Sequence, residues 1–409
     1  MLLEGRQAAY VGKLFERLMG VPLAHEDPKF TRMVDLVDAG HLDEAASIAT
    51  ADRRFYSVRM RNFAAPFSSF DLSPSEPFND MQALIIGITR DELDARNLFT
   101  GDFRYQGYPN LGLPEVSLSN NDHYESFDRD GYDYWKDLVK VNRQWPGFPE
   151  AAGVFTTRAW AKAHYRAGTN RRAYKMAVEL FLCTPIEALK QPNSFDGYIR
   201  RDVERNSGGN PATYQNVCRS CHGQMDAFGG AFARLDFFND TLTHTGFIHV
   251  AAKMNQNSQF YPEGHVTFDD HWTNLIAKNP TFDFGWVGPL DGHGIFEMGQ
   301  SLGNSRGFNR CMVTQVFREV CLQDPTVSNQ ALVESLSKQF EQDGYNLKKL
   351  FRRVVTQNQC LTQDTALGSM EDGERTQFET PNHRSWAQFV PVHNSSSGIR
   401  SDAAGFEKF

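Results

Sequence analysis

Three times in succession, between residues 308 and 356, apolar residues fall at helical spacing. Val313, Val316, Phe317 and Val320 share one face of "CMVTQVFREVC". Val333, Leu336 and Phe340 form the next stripe, and Leu347, Leu350, Phe351 and Val354 the third. Only short Asp, Pro and Gly turns separate them. Consecutive helices joined by such turns must run antiparallel and bury their stripes against one another. A mainly α fold is therefore expected, with residues 301–362 as a helical bundle.

Upstream, the same period recurs. In "YVGKLFERLMG", Tyr10, Val11, Leu14, Phe15 and Leu18 alternate with charged residues, and Gly20 and Pro22 supply the stop. This reads as an amphipathic helix of the mature fold rather than a signal peptide. "DPKFTRMVDLVDAG" and "DEAASIATADRRFYSVRMRNFA" continue the pattern, and Asn79 or Asp80 is placed to cap the helix after them. Residues 1–98 are expected to form a helical unit. Residues 99–150, rich in Gly, Asn, Asp and Tyr, lack a clean period and read as a long irregular connection. Two more helices open residues 151–300, in "TTRAWAKAHYRAG" and "TNRRAYKMAVELFLC". Residues 363–409 are polar and aperiodic, an extended tail with Trp386, Phe389 and Val390 as its apolar points.

The net charge of −8 argues against nucleic acid as a partner. No apolar run approaches the length of a membrane-spanning helix.

Within residues 151–300 stands "NVCRSCHGQMDAFGG", which holds Cys218, Cys221 and His222 as C-x-x-C-H. That order is the attachment signature of c-type haem. Residues three apart share a helix face, so both cysteines can form thioethers with one haem. His222 follows at once and can place an imidazole nitrogen on the iron. A redox dithiol would want a βαβ context, and the flanks here are Asn/Gly-rich. A zinc site would need a second close pair of ligands, for which His244 and His249 are the nearest candidates. One covalent haem c is the expected cofactor.

Haem attachment through cysteines takes place outside the cytoplasm, so a periplasmic or extracellular location is expected. The other cysteines, Cys183, Cys311, Cys321 and Cys360, are even in number and suit two disulfides there. Cys311 and Cys321 lie on one expected helix, roughly 15 Å apart at the helical rise, too far to bridge. The ends of helices 308–321 and 347–356 should meet at one pole of an up-down-up arrangement. The favoured pairs are Cys321–Cys360 and Cys183–Cys311.

"FLCTP", "CRSCHGQMDAFGGAFARLDF" and "SRGFNRCMVTQVFREVC" occur in that order. Together they resemble the secreted planctomycete-type cytochrome c proteins. The matching residues are Cys218, Cys221, His222, Asp226, Gly229 and Asp236. Ala227 departs from the pattern, where many relatives have Pro. The resemblance implies a mostly helical, exported, typically bacterial haem protein. It implies no substrate.

A methionine thioether raises the potential and a histidine lowers it. For the sixth iron ligand, Met254, in an irregular loop well downstream of His222, is the first choice. Met298 and His164 come next, then His249 and His244. Met225 is too near His222 in sequence to reach the opposite haem face and is assigned to packing. Arg171 and Arg172 are candidates to hold the haem propionates. His265, His271 and His293 are read as exposed, with a shared metal site as the alternative. None of the common hydrolase, zincin or phosphate-loop motifs occurs. The expected function is a single-electron carrier with an unidentified redox partner protein, held in a membrane or cell-surface assembly. The alternatives are a haem enzyme of peroxidase or oxygenase type with an open sixth position, and a structural interaction protein stabilised by haem.

Overall fold

The protein is described by a computed structural model covering residues 2–165, 171–191, 211–244, 269–279 and 281–361. It is mainly α. Helix α1 (Leu2–Met19) buries Val11, Leu14, Phe15 and Leu18 completely. It stops at Gly20, whose φ of 73° is open to glycine without strain. Helix α2 (Pro28–Asp38) starts from Asp27, which accepts from the Lys29 N–H at 2.9 Å, with Pro28 in the first turn. Helix α3 (Leu42–Thr50) follows. A π-helical turn over Phe55–Met60 then leads into the short α4 (Arg61–Ala64).

Helix α5 (Asp80–Arg90) settles which residue caps it. Asn79 Oδ1 accepts from the backbone N–H groups of Met81 and Gln82. The adjacent Asp80 reaches across the fold instead. Its carboxylate accepts from the Arg158 N–H at 2.6 Å and the Ala159 N–H at 3.0 Å, at the start of another helix. The helical pattern that ran on toward residue 99 is broken after α5. Glu92 takes a left-handed φ of 53°, and the chain resumes as α6 (Asn97–Thr100).

Residues 99–150 are more ordered than an irregular connection. Strand β1 (Phe103–Gly107) and strand β2 (Leu138–Asn142) pair antiparallel, from Phe103 opposite Asn142 to Gly107 opposite Leu138. Helix α7 (Asp122–Arg129) lies between them in sequence. Alternate residues of β1 face inward, and Gly87 of α5 lets the Tyr105 ring lie against that helix. His123 ties the segment together: its Nε2 accepts from the Gly107 N–H at 2.9 Å, and its Nδ1–H donates to the Pro114 carbonyl at 2.6 Å. Each strand has five residues and its partner lies beyond a long excursion, so no hairpin pattern marks the pair.

Helix α8 (Arg158–His164) begins at the Thr157 cap, and α9 (Arg171–Phe181) follows. A short turn α10 (Pro211–Thr213) and a π-helical turn over Tyr214–Cys218 lead into α11 (Arg219–Gly229). Strands β3 (Leu235–Phe238) and β4 (Thr241–His244) form a hairpin. Asn239 and Asp240 both take positive φ, which matches the twist of a two-residue turn. Strands β5 (His271–Thr273) and β6 (Asp291–His293) pair, and α12 (Gly294–Gly303) follows at once. Glu150 caps α12 from a distance, accepting from the Phe296 N–H at 2.9 Å.

The C-terminal helices are α13 (Arg306–Cys321), α14 (Gln330–Gln342), α15 (Leu347–Val355) and α16 (Asn358–Leu361). Helix α13 packs on both α14 and α15, and α15 packs on α1, α3 and α5. Phe351 of α15 makes edge-on contacts with Phe55 and Phe63. Arg59 reaches Glu319 of α13 at 2.7 Å. The bundle therefore completes the core of the N-terminal helices as well as abutting α9. Phenylalanine carries much of this core: Phe99 contacts Phe155, Phe181 and Phe308. Among the described residues, no helix is long and apolar enough to cross a membrane.

Candidate functional site

Cys218 closes the π-helical turn, and Cys221 and His222 lie in the first turn of α11. At positions i, i+3 and i+4 they share one stripe of the helix. All three are half-buried, whereas Gly223 through Phe228 behind them are buried. Val217, next to the first cysteine, is 68% exposed. The two-residue spacer thus places both cysteines and the histidine on one half-buried stripe of a helix whose rear is locked. The Nδ1 side of the His222 ring is turned into the protein.

Three sets of contacts lock that rear. Phe228 is stacked between Tyr174 of α9, at 4.4 Å between ring centroids, and Trp272 of β5, at 5.7 Å. Gln224 is fully buried and donates to the Leu189 carbonyl at 2.5 Å and the Ser220 carbonyl at 2.9 Å. Asp226, with no exposed side-chain surface, takes both arms of the Arg171 guanidinium at 2.8 and 3.2 Å. A bidentate pair of this kind fixes both the rotation and the depth of α11 against α9.

The six cysteines divide cleanly. Cys183 is bonded to Cys311 and Cys321 to Cys360, with Cα atoms 5.2 and 4.5 Å apart. Both expected pairings are present. Cys218 and Cys221 remain as thiols. Burial pushes the Cys221 thiol up, the reverse of what a reactive redox dithiol requires. Among the described residues, no three His, Cys, Asp or Glu side chains converge as a metal site. Zinc would need its ligands around one point at about 2.3 Å or less. Two thiols and an imidazole on one helix stripe are the donor types that a covalently attached haem would take: Cys218 and Cys221 would hold it and His222 would supply a nitrogen to the iron.

The remaining candidates are dispersed. Arg171 faces Asp226, as described. Arg172 donates from Nε to the Ala163 carbonyl at 3.3 Å and from Nη2 to the Phe70 carbonyl, and stacks over the Phe70 ring at 3.8 Å. His164 is completely buried, 4.3 Å from the Trp160 ring. Burial, then the nearby Arg172 charge, push its pKa down to about 3. Met298 lies buried on α12, the helix that crosses the turn just after α11. Met225 is buried, in keeping with a packing role. His244 sits beside Phe148, and burial and Arg234 lower its basicity. His271 and His293 stand opposite each other across β5 and β6, with rings 5.3 Å apart, and His293 Nδ1 meets Asp270 at 2.9 Å. Met254, His249, His265 and the tail 363–409 lie outside the described residues.

The pairing of Asp226 with Arg171 escaped sequence reasoning, although both residues had been singled out. The signal was present: a carboxylate inside the apolar run "MDAFGG" must find a cation or pay for its burial. No family model matches the chain, and no curated protein or solved structure matches it.

Proposed function

We propose that the protein is an exported monohaem c-type cytochrome that carries single electrons, as its resemblance to the planctomycete-type cytochrome c proteins suggests. One observation carries this reading. Of six cysteines, four are joined in disulfides, and the two left as thiols are those of C-x-x-C-H, on one half-buried stripe at the start of α11 beside His222.

Disulfides form in oxidising compartments, where haem attachment also takes place. A pair of thiols three residues apart in such a setting would be oxidised, chelated or alkylated. The C-x-x-C-H order favours alkylation, by the vinyl groups of haem. Cys218 and Cys221 would hold the group covalently, and His222 would supply the proximal nitrogen. When bound, the haem supplies a one-electron iron centre. The chain's own part is to hold α11 rigid, through the Phe228 stack, the Gln224 hydrogen bonds and the Arg171–Asp226 pair. Met254 remains the first choice opposite His222, with Met298 and His164 after it. A scaffold this large around one haem favours a fixed place in a periplasmic or cell-surface assembly with a partner redox protein.

The test is the visible spectrum of protein made with the haem-attachment machinery. The expected result is a c-type spectrum in alkaline pyridine and a reduced α band unchanged by carbon monoxide. Haem should resist acid-acetone extraction in the wild type, and Cys218→Ala/Cys221→Ala should lose it. Ready carbon monoxide binding would replace electron carriage with an open-site haem enzyme. A folded protein without haem would overturn the reading.

A further inference from the structure

Away from α11, a surface cleft of about 400 Å³ opens between the α2 and α3 end of the N-terminal helices and the turn that precedes β2. That volume lies within the range of small-molecule sites. Its walls carry four cations, Lys29, Arg53, Arg54 and Lys136, against two carboxylates, Asp52 and Asp133. This local excess of positive charge belongs to a chain whose net charge is −8.

The cations fall into two pairs. Lys29 and Arg54 are held by Asp52, which is nearly buried, at 2.5 and 2.9 Å. Asp133 is engaged by the backbone, accepting from the Trp135 N–H at 2.8 Å. Arg53 and Lys136 are exposed, and among the described residues neither joins an ion pair. Trp135 lines the same cleft and is 45% exposed, an uncommon position for the largest aromatic side chain.

We propose that this cleft binds an acidic saccharide, its ring stacked on Trp135 and its carboxylate or sulfate paired with Arg53 and Lys136. A bare anion would leave the indole unused. An apolar ring would want a closed pocket, and this cleft is open to water. A hydrated ring with one C–H face and a charged edge uses both features. The inference is independent of the haem reading, since the cleft shares no residue with α11.

The test is calorimetric titration of the full chain with trigalacturonate, its methyl ester, a sulfated disaccharide, inorganic sulfate and hexaglutamate. An acidic saccharide should bind, and more weakly as salt is raised. Loss of one charge-assisted contact should weaken binding about tenfold, so the methyl ester should bind at least that much less tightly than trigalacturonate. Arg53→Gln/Lys136→Gln and Trp135→Ala should each weaken binding to a similar degree. All three positions are exposed, so folding should be spared. Failure of both acidic saccharides to bind would overturn the proposal, as would equal binding of acid and ester or variants that bind as wild type. Tighter binding of hexaglutamate or sulfate would replace it with an acidic protein partner or a simple anion site.

Discussion

Asp226 and His123 show how much rests on single buried polar groups. Asp226 has no exposed side-chain surface, and Arg171 is its bidentate partner. Removing the carboxylate takes a charge-assisted bidentate contact from Arg171, at a cost of about 1.5–3 kcal/mol. Asp226→Ala is expected to lose stability at the low end of that range, because Arg171 is 20% exposed and partly reached by water. Urea unfolding would measure it, and a loss under about 1 kcal/mol would mean that the pair does not fix α11. His123 makes a different prediction. Its Nε2 must stay unprotonated to accept the Gly107 N–H. Burial lowers its pKa below the ordinary 6.5, and the Pro114 hydrogen bond only partly restores it. A base with a lowered folded pKa contributes stability that is whole above 6.5 and lost as pH falls below it. Comparing wild type with His123→Gln between about pH 7.5 and 5 should show a steeper acid loss in the wild type. Parallel curves would sink that account.

At the scale of elements, close approach decides the joints. Gly87 stands where α5 meets Tyr105 of β1, and any Cβ there would overlap the Tyr105 ring. Gly87→Ala should therefore destabilise by about 1–3 kcal/mol, despite alanine's better helix propensity. Chemical denaturation of this variant beside an exposed helical control such as Gly5→Ala, where no atom obstructs the Cβ, would test the claim. Asn79 gives a second element-level prediction. It caps α5 with two backbone acceptances while its amide donates to Ser68 at 2.9 Å. Asn79→Ala should cost about 1–2 kcal/mol, seen as a lower unfolding midpoint at unchanged slope. The three C-terminal stripes were legible because each repeats over a whole helix: Val313, Val316, Phe317 and Val320 are all fully buried. The β1–β2 pair was illegible because five-residue strands carry little periodicity and find each other only through tertiary contact.

For the whole molecule, the disulfides tie α13 at two points, to the turn after α9 and to α16. Cys183–Cys311 spans 128 residues and Cys321–Cys360 spans 39. In the chain-entropy account the longer closure stabilises more, by about 1 kcal/mol. Cys183→Ala/Cys311→Ala should accordingly lower stability more than Cys321→Ala/Cys360→Ala, measured by urea unfolding. The reverse order would show that native-state packing outweighs loop entropy here.

The sequence by itself determined the mainly α class and the stripe that carries Cys218, Cys221 and His222, and it favoured the two disulfide pairings that the structure holds. The class and the stripe follow from short-range rules, the 3.6-residue period and the coincidence of i, i+3 and i+4 on one face. For the pairings the helical rise excluded only Cys311–Cys321, and the choice between the two sets left rested on the expected up-down-up packing. Only the tertiary structure decided that Arg171 serves Asp226, that Asp80 caps α8 rather than its own helix, and that Arg53, Lys136 and Trp135 share a cleft. Those partners come from segments distant in sequence. Charge and burial state that a polar group needs a partner, but only the packed chain can say which one stands within reach.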